Sequence, residues 1–136
     1  MLYLDSWVWL EYGFEGDLWE VAEELIETAV ERSAVFSTIG LAEVDYVLQR
    51  DVDRETADFV TSAIEDLDGV HVVPVTSEIA LYGSQLRSKY YSRRERELSY
   101  ADAIHIATAV LTDCDVIHTG DADFDDLDEI ETVVHQ

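Results

Sequence analysis

Short apolar runs alternate along the chain with longer stretches in which apolar residues recur at helical spacing, and this rhythm predicts alternating strands and helices. Residues 2–4, 34–37, 70–75, 116–119 and 132–134 read as strands, and the single proline, Pro74, favours an edge position for the third. Residues 17–32 place Leu18, Val21, Ala22, Leu25, Ile26, Ala29 and Val30 on one face and glutamates on the other, as an amphipathic helix does. Thr38 is placed to cap a helix that runs to about residue 49, with Leu41, Val44 and Leu48 as its packing stripe. Further helices are expected over 54–67, 77–91 and 98–110, the second of them turning Ile79, Tyr82 and Leu86 inward. Residues 7–10 begin helical or turn structure that breaks near Gly13 and Gly16, 93–97 reads as a loop, and 120–124 as a turn.

Strands alternating with helices argue for an α/β fold whose parallel sheet is covered on both faces, and such sheets bind ligands beyond the carboxyl ends of their strands. Residues 98–110, LSYADAIHIATAV, are the most informative stretch, because only Asp102 and His105 can carry charge in an otherwise apolar helix. Ser99 reads as the N-cap with Asp102 three residues later, a capping box in which the helix dipole favours the acid. Yet Asp102 shares its stripe with Ile106 and Ala109, so it does not stand on a solvated face. Three more acids are isolated in the same way. Asp5 and Asp121 follow strands, and Glu43 sits between Ile39 and Val47 at i±4. Four carboxylates converging without a lysine or arginine repel one another unless divalent cations or raised pKa values relieve them. Oxygen-only ligands select Mg²⁺ or Mn²⁺, which activate water for attack on a phosphodiester.

The 136 residues read as one domain, 1–136, long enough for an ordinary core. Cys114 allows no internal disulfide and reads as a small buried hydrophobe, and no apolar run approaches the ~20 residues of a membrane span. With no signal-like amino end, a soluble cytoplasmic protein is expected. Its 31 acidic against 8 basic residues give a formal charge of -23, spread along the whole sequence with Lys89 as the only lysine. That pattern fits a cytoplasm of high salt, and 48% hydrophobic residues exclude a disordered chain.

The order Leu4-Asp5-Ser6, Glu43 after the second strand, LSYADAIHIATA with Asp102, then HTGDADF with Asp121, resembles the PIN-domain ribonucleases, and in size and detail the VapC-type toxins of toxin–antitoxin pairs. The resemblance covers essentially the whole chain. It implies a three-layer α/β/α fold with a five-stranded parallel sheet of order 3-2-1-4-5 and cleavage of RNA dependent on Mg²⁺ or Mn²⁺. Catalytic, metal-holding acids map to Asp5, Glu43, Asp102 and Asp121, with Asp123 as a further ligand and Ser6 and Thr119 as flanking polar residues. A homodimer and a small antitoxin that blocks the site are implied as partners. A housekeeping PIN nuclease of RNA processing or decay, and a metal-binding regulatory module without turnover, are the alternatives. Asp121, Asp123 and Asp125 imitate a calcium loop, but Asp126 stands where Gly is needed and Thr132 where Glu is needed. His105 reads as a packing or hydrogen-bonding residue.

Five of the eight basic residues, Arg87, Lys89, Arg93, Arg94 and Arg96, precede the Asp102 helix with Tyr90 and Tyr91 among them. They are expected to contact RNA phosphates; a solvated face neutralising nearby glutamates is the competing reading. Trp7, Trp9 and Trp19 suit an interface or the core equally.

Overall fold

The computed structural model describes residues 1–93 and 95–136. Its strands are β1 (Leu2–Leu4), β2 (Ala34–Ser37), β3 (Val70–Val73), β4 (Val116–Thr119) and β5 (Glu131–Val134). Its helices are α1 (Ser6–Gly13), α2 (Trp19–Arg32), α3 (Thr38–Asp51), α4 (Arg54–Asp66), α5 (Ser77–Tyr90) and α6 (Tyr100–Leu111), and a single 3-10 turn covers Ala122–Phe124. The five strands are all parallel in the order β3-β2-β1-β4-β5, as the resemblance implies.

Alternation along the strands divides the core between the two faces of the sheet. Tyr3, Val35 and Ile117 pack with Ile79, Leu86, Ala103 and Ile106 under α5 and α6. Leu4, Ala34, Phe36 and Val70 pack with Val8, Ala22, Val44, Ala57 and Ile64 under α1 to α4. Successive strand residues point to opposite faces, so strands of three or four residues supply both layers. Close packing of α5 on α6 rests on Gly83, where a Cβ would stand 3.3 Å from the Ile104 side chain.

Three local expectations are corrected by hydrogen bonding. Ser37, not Thr38, caps α3: it is the extended residue, and its Oγ accepts from Ile39 N–H at 3.1 Å. Thr38 Oγ1 instead accepts from Val75 N–H at 3.1 Å, so β3 ends at Val73, short of Pro74 and Val75. The second helix begins at Trp19, not 17, because Glu11 accepts the Leu18 N–H at 2.7 Å and holds the preceding turn.

Candidate active site

The strand order reverses beside β1. Its neighbours are β2 and β4, so the helices that follow them diverge and leave a crevice at the carboxyl ends of the strands. A cavity of about 570 Å³ opens there, and Asp5, Glu43, Asp102 and Asp121 all line it, with Ser6, Trp7 and His105. Among the described residues, no lysine or arginine lines it.

Each acid reaches the cavity through the start of a helix. Asp5 leaves β1 extended and caps α1, accepting from Trp7 N–H at 2.9 Å through Oδ1. Its Oδ2 accepts from the Thr119 hydroxyl at the end of β4, and Thr119 Oγ1 accepts from Asp121 N–H at 3.0 Å. Thr119 thus couples two acids from opposite ends of the sequence. Asp121 caps the 3-10 turn by accepting from Asp123 N–H at 2.8 Å. Asp102 is the N3 member of the capping box on α6, bonded reciprocally with Ser99 at 3.1 Å each way. Glu43, one turn into α3, accepts from Ser6 Oγ at 3.2 Å and from His105 Nε2 at 2.5 Å, both on Oε1.

Desolvation dominates the charges. Burial pushes the Asp5 carboxyl up to about 6, with the Glu43 charge adding to the rise and the Thr119 and Trp7 donors opposing it. Burial also raises Asp102, assisted by Asp121 and offset by Ser99. Hydrogen bonds and helix N-termini orient these acids without neutralising them, so the cavity is arranged to receive positive charge. The donor set suits a hard divalent cation. Among the described residues no three His, Cys, Asp or Glu side chains close into a ready-made ion cage.

Asp123 is bonded to Asp121 through its backbone but does not line the cavity. The basic residues lie apart, along the end of α5 and the connection to α6. Arg87 donates to Leu98 O at 3.1 Å, Lys89 pairs with Asp128 and Glu129, Arg96 donates to Asp125 O at 2.7 Å, and Arg93 is exposed. Arg94 lies outside the described residues. The tryptophans divide: Trp9 is buried, Trp7 lines the cavity against Gly120, and Trp19 is exposed. The aromatic wall of Trp7 and Phe14 was missed, with Asp5 capping the turn that carries Trp7 as the available signal; His105 takes the packing and hydrogen-bonding role expected of it, with Glu43 as the partner that was not foreseen.

No curated protein matches the sequence. Among solved structures, the chain superposes on Mycobacterium tuberculosis VapC20, a sarcin-ricin loop cleaving toxin, with TM-score 0.76 and 23% identity, covering 91% of this chain and 92% of that one. VapBC2 from Rickettsia felis, bound to a DNA fragment from its promoter, gives TM-score 0.73 at 15% identity over 98% of both chains. A toxin–antitoxin complex from Klebsiella pneumoniae gives 0.71 at 21% over 98% of this chain and 97% of that one. At these identities the likeness is one of fold. The family profile of the PIN domain matches residues 2–130, so the four acids gathered at the switch point stand in a chain that belongs to the PIN domain family.

Proposed function

We propose that this PIN domain is a divalent-metal-dependent endoribonuclease acting as the toxin of a toxin–antitoxin pair. The observation that carries the reading is the cavity in which Asp5, Glu43, Asp102 and Asp121 meet with no lysine or arginine among the described lining residues. Mg²⁺ or Mn²⁺, held by these carboxylates, would supply an activated water and offset the charge of the scissile phosphate. Asp5 and Asp121, coupled through Thr119, hold fixed positions at the ends of β1 and β4, while Asp102 and Glu43 face them from α6 and α3. Such a constellation serves hydrolysis of a polyanion, since the cations a phosphodiester needs are the ones the acids need.

The toxin assignment draws on relatives of the same fold solved as toxin–antitoxin complexes. A second groove, between α1, α2 and α4, suits a protein partner. It is lined by Trp9, Tyr12, Ile26, Phe59 and Val60, with Phe59 76% exposed. Trp9 Nε1 lies buried beside it with no acceptor among the described residues. Against a chain of formal charge -23, the complementary occupant is a segment of a small basic protein with an apolar face, the antitoxin.

The deciding experiment is cleavage of labelled RNA at high KCl with Mg²⁺ or Mn²⁺, comparing wild type with Asp5→Asn. Cleavage that needs the metal and is lost in the variant is expected; equal cleavage by both, or none by wild type with either metal, overturns the reading.

A further inference from the structure

His105 is 1% exposed, on α6 one turn beyond Asp102. Its ring is clamped. Tyr3 meets it edge-on at 5.7 Å, and Phe36 lies against it at 6.4 Å and 22°. Below the rings, Gly40 leaves room that a Cβ would fill, approaching Phe36 to 2.2 Å and His105 Cε1 to 3.1 Å. A glycine inside a helix costs up to about 1 kcal/mol relative to alanine, and here that cost gives the imidazole its seat.

Both ring nitrogens are bonded: Nδ1 to the fully buried Tyr3 hydroxyl, and Nε2 to Glu43 Oε1 at 2.5 Å. With the proton on Nδ1, the Nε2 lone pair would face the Glu43 carboxylate, which accepts only. With the proton on Nε2, that N–H donates to Glu43 and the Tyr3 O–H donates to Nδ1. The Tyr3 hydroxyl and both ring nitrogens of His105 are then satisfied without placing an uncompensated charge in the core. Ser6 Oγ donates to the same Glu43 oxygen at 3.2 Å, and no donor among the described residues reaches Oε2.

We propose that Tyr3 and His105 form a positioning relay that fixes His105 in the Nε2–H tautomer, locks Glu43 Oε1, and leaves Glu43 Oε2 as the oxygen offered to the metal. The relay joins β1, α6 and α3, so it ties the orientation of one ligand to the sheet itself. It rests on the metal-nuclease reading of the cavity. Outer partners of this kind typically change metal affinity or activity by about 10- to 100-fold when removed.

The test measures Mn²⁺ binding by calorimetry in the absence of RNA, alongside kcat and KM for RNA cleavage, in His105→Leu, His105→Gln and Tyr3→Phe. His105→Leu is expected to weaken Mn²⁺ binding by roughly 10- to 100-fold and to lower kcat with KM nearly unchanged. His105→Gln, which keeps an N–H donor toward Glu43, should recover most of both; Tyr3→Phe should fall between. Folded His105→Leu with wild-type Mn²⁺ affinity and kcat overturns the relay. Folding failure of that variant leaves the ring nitrogens of the wild-type protein to decide by ¹⁵N spectroscopy: a proton on Nε2 with Nδ1 bare supports the relay, and a proton on Nδ1 with Nε2 bare overturns it. Wild type that binds no Mn²⁺ and cleaves no RNA would overturn the nuclease reading itself, a result distinct from either.

Discussion

In the cavity, Asp5, Glu43, Asp102 and Asp121 are held by hydroxyls, backbone N–H groups and an imidazole, whereas on the surface carboxylates are held by cations. Arg54 bridges Asp45 and Asp58, Arg50 pairs with Asp51, Lys89 reaches Asp128 at 3.1 Å and Glu129 at 2.7 Å, and the amino terminus meets Asp115 at 2.9 Å. The described lysine and arginine side chains that pair with acids therefore do so at the surface, where pairing stabilises little, and none pairs with the buried Asp5 or the half-buried Glu43, Asp102 and Asp121, where charge costs more. The difference teaches that the cavity is not a by-product of acidic composition. Its acids are oriented by hydroxyls, backbone N–H groups and the His105 ring, none of them a lysine or arginine among the described residues.

The largest test of this contrast is removal of one cavity charge. Asp121→Asn should lower RNA cleavage by more than about 1,000-fold, about 4 kcal/mol of barrier, while leaving the melting temperature equal or higher. Asp58→Asn, which breaks one exposed pair, should leave cleavage as it was. Similar rates for the two variants would erase the distinction between cavity and surface.

Much of this contrast is legible along the chain. Asp102 in an apolar stripe, Asp5 and Asp121 after strands, and the Ser99 capping box are local patterns, and local patterns survive folding unchanged. What could not be read is what faces them. His105 meets Glu43 62 residues away and Tyr3 102 residues away, and a single sequence carries no distance between segments so far apart. The same limit applies to the basic run, whose partners Asp125, Asp128 and Glu129 arrive with the connection after β4. Ser37 and Thr38 are both good caps, and the choice falls to whichever leaves the strand extended.

Protonation gives the next largest effect. The Asp5 carboxyl is raised from 3.8 to about 6, so the folded state binds its proton more tightly than the unfolded chain does. Stability from this group is highest below about pH 4 and is lost as pH rises through about 6, a change of up to about 3 kcal/mol. His118, pushed down to about 4 by burial and by His135, works in the opposite sense, because the unfolded chain then binds more protons as pH falls. The two oppose each other over the same range, so wild type alone should show a shallow dependence. The difference between wild type and Asp5→Asn, measured by denaturant unfolding from pH 4 to 7 without divalent metal, isolates the Asp5 contribution. A difference independent of pH would show that Asp5 ionises at its ordinary value.

Mg²⁺ should then stabilise the cavity and not the surface. At a concentration 100 times its Kd, a ligand that binds only the folded state adds about 2.7 kcal/mol. A thermal scan at constant ionic strength should therefore show Mg²⁺ raising the melting temperature of wild type and failing to raise that of Asp5→Asn. An equal rise in both would assign the ion to surface carboxylates.

The smallest effects belong to the basic segment. Lys89 is bound to two acids and stacks 5.0 Å over Tyr90, and Arg87 lies 4.3 and 4.4 Å over Tyr91 and Tyr100 while donating to Leu98 O. These contacts tie the end of α5 to its neighbours and engage the Lys89 ammonium and the Arg87 Nε–H. Arg93 is exposed, so it is the described member of the run best placed to reach RNA. Lys89→Gln should cost no more than about 1 kcal/mol and leave the salt dependence of RNA binding unchanged. Arg93→Gln should leave stability alone and reduce the slope of log K against log salt by about 0.7, the value for one single-strand phosphate contact. Binding titrations across the KCl range separate the two. A slope unchanged by Arg93→Gln would remove this residue from the RNA interface, and a slope reduced by Lys89→Gln would mean that its ion pairs open when RNA arrives.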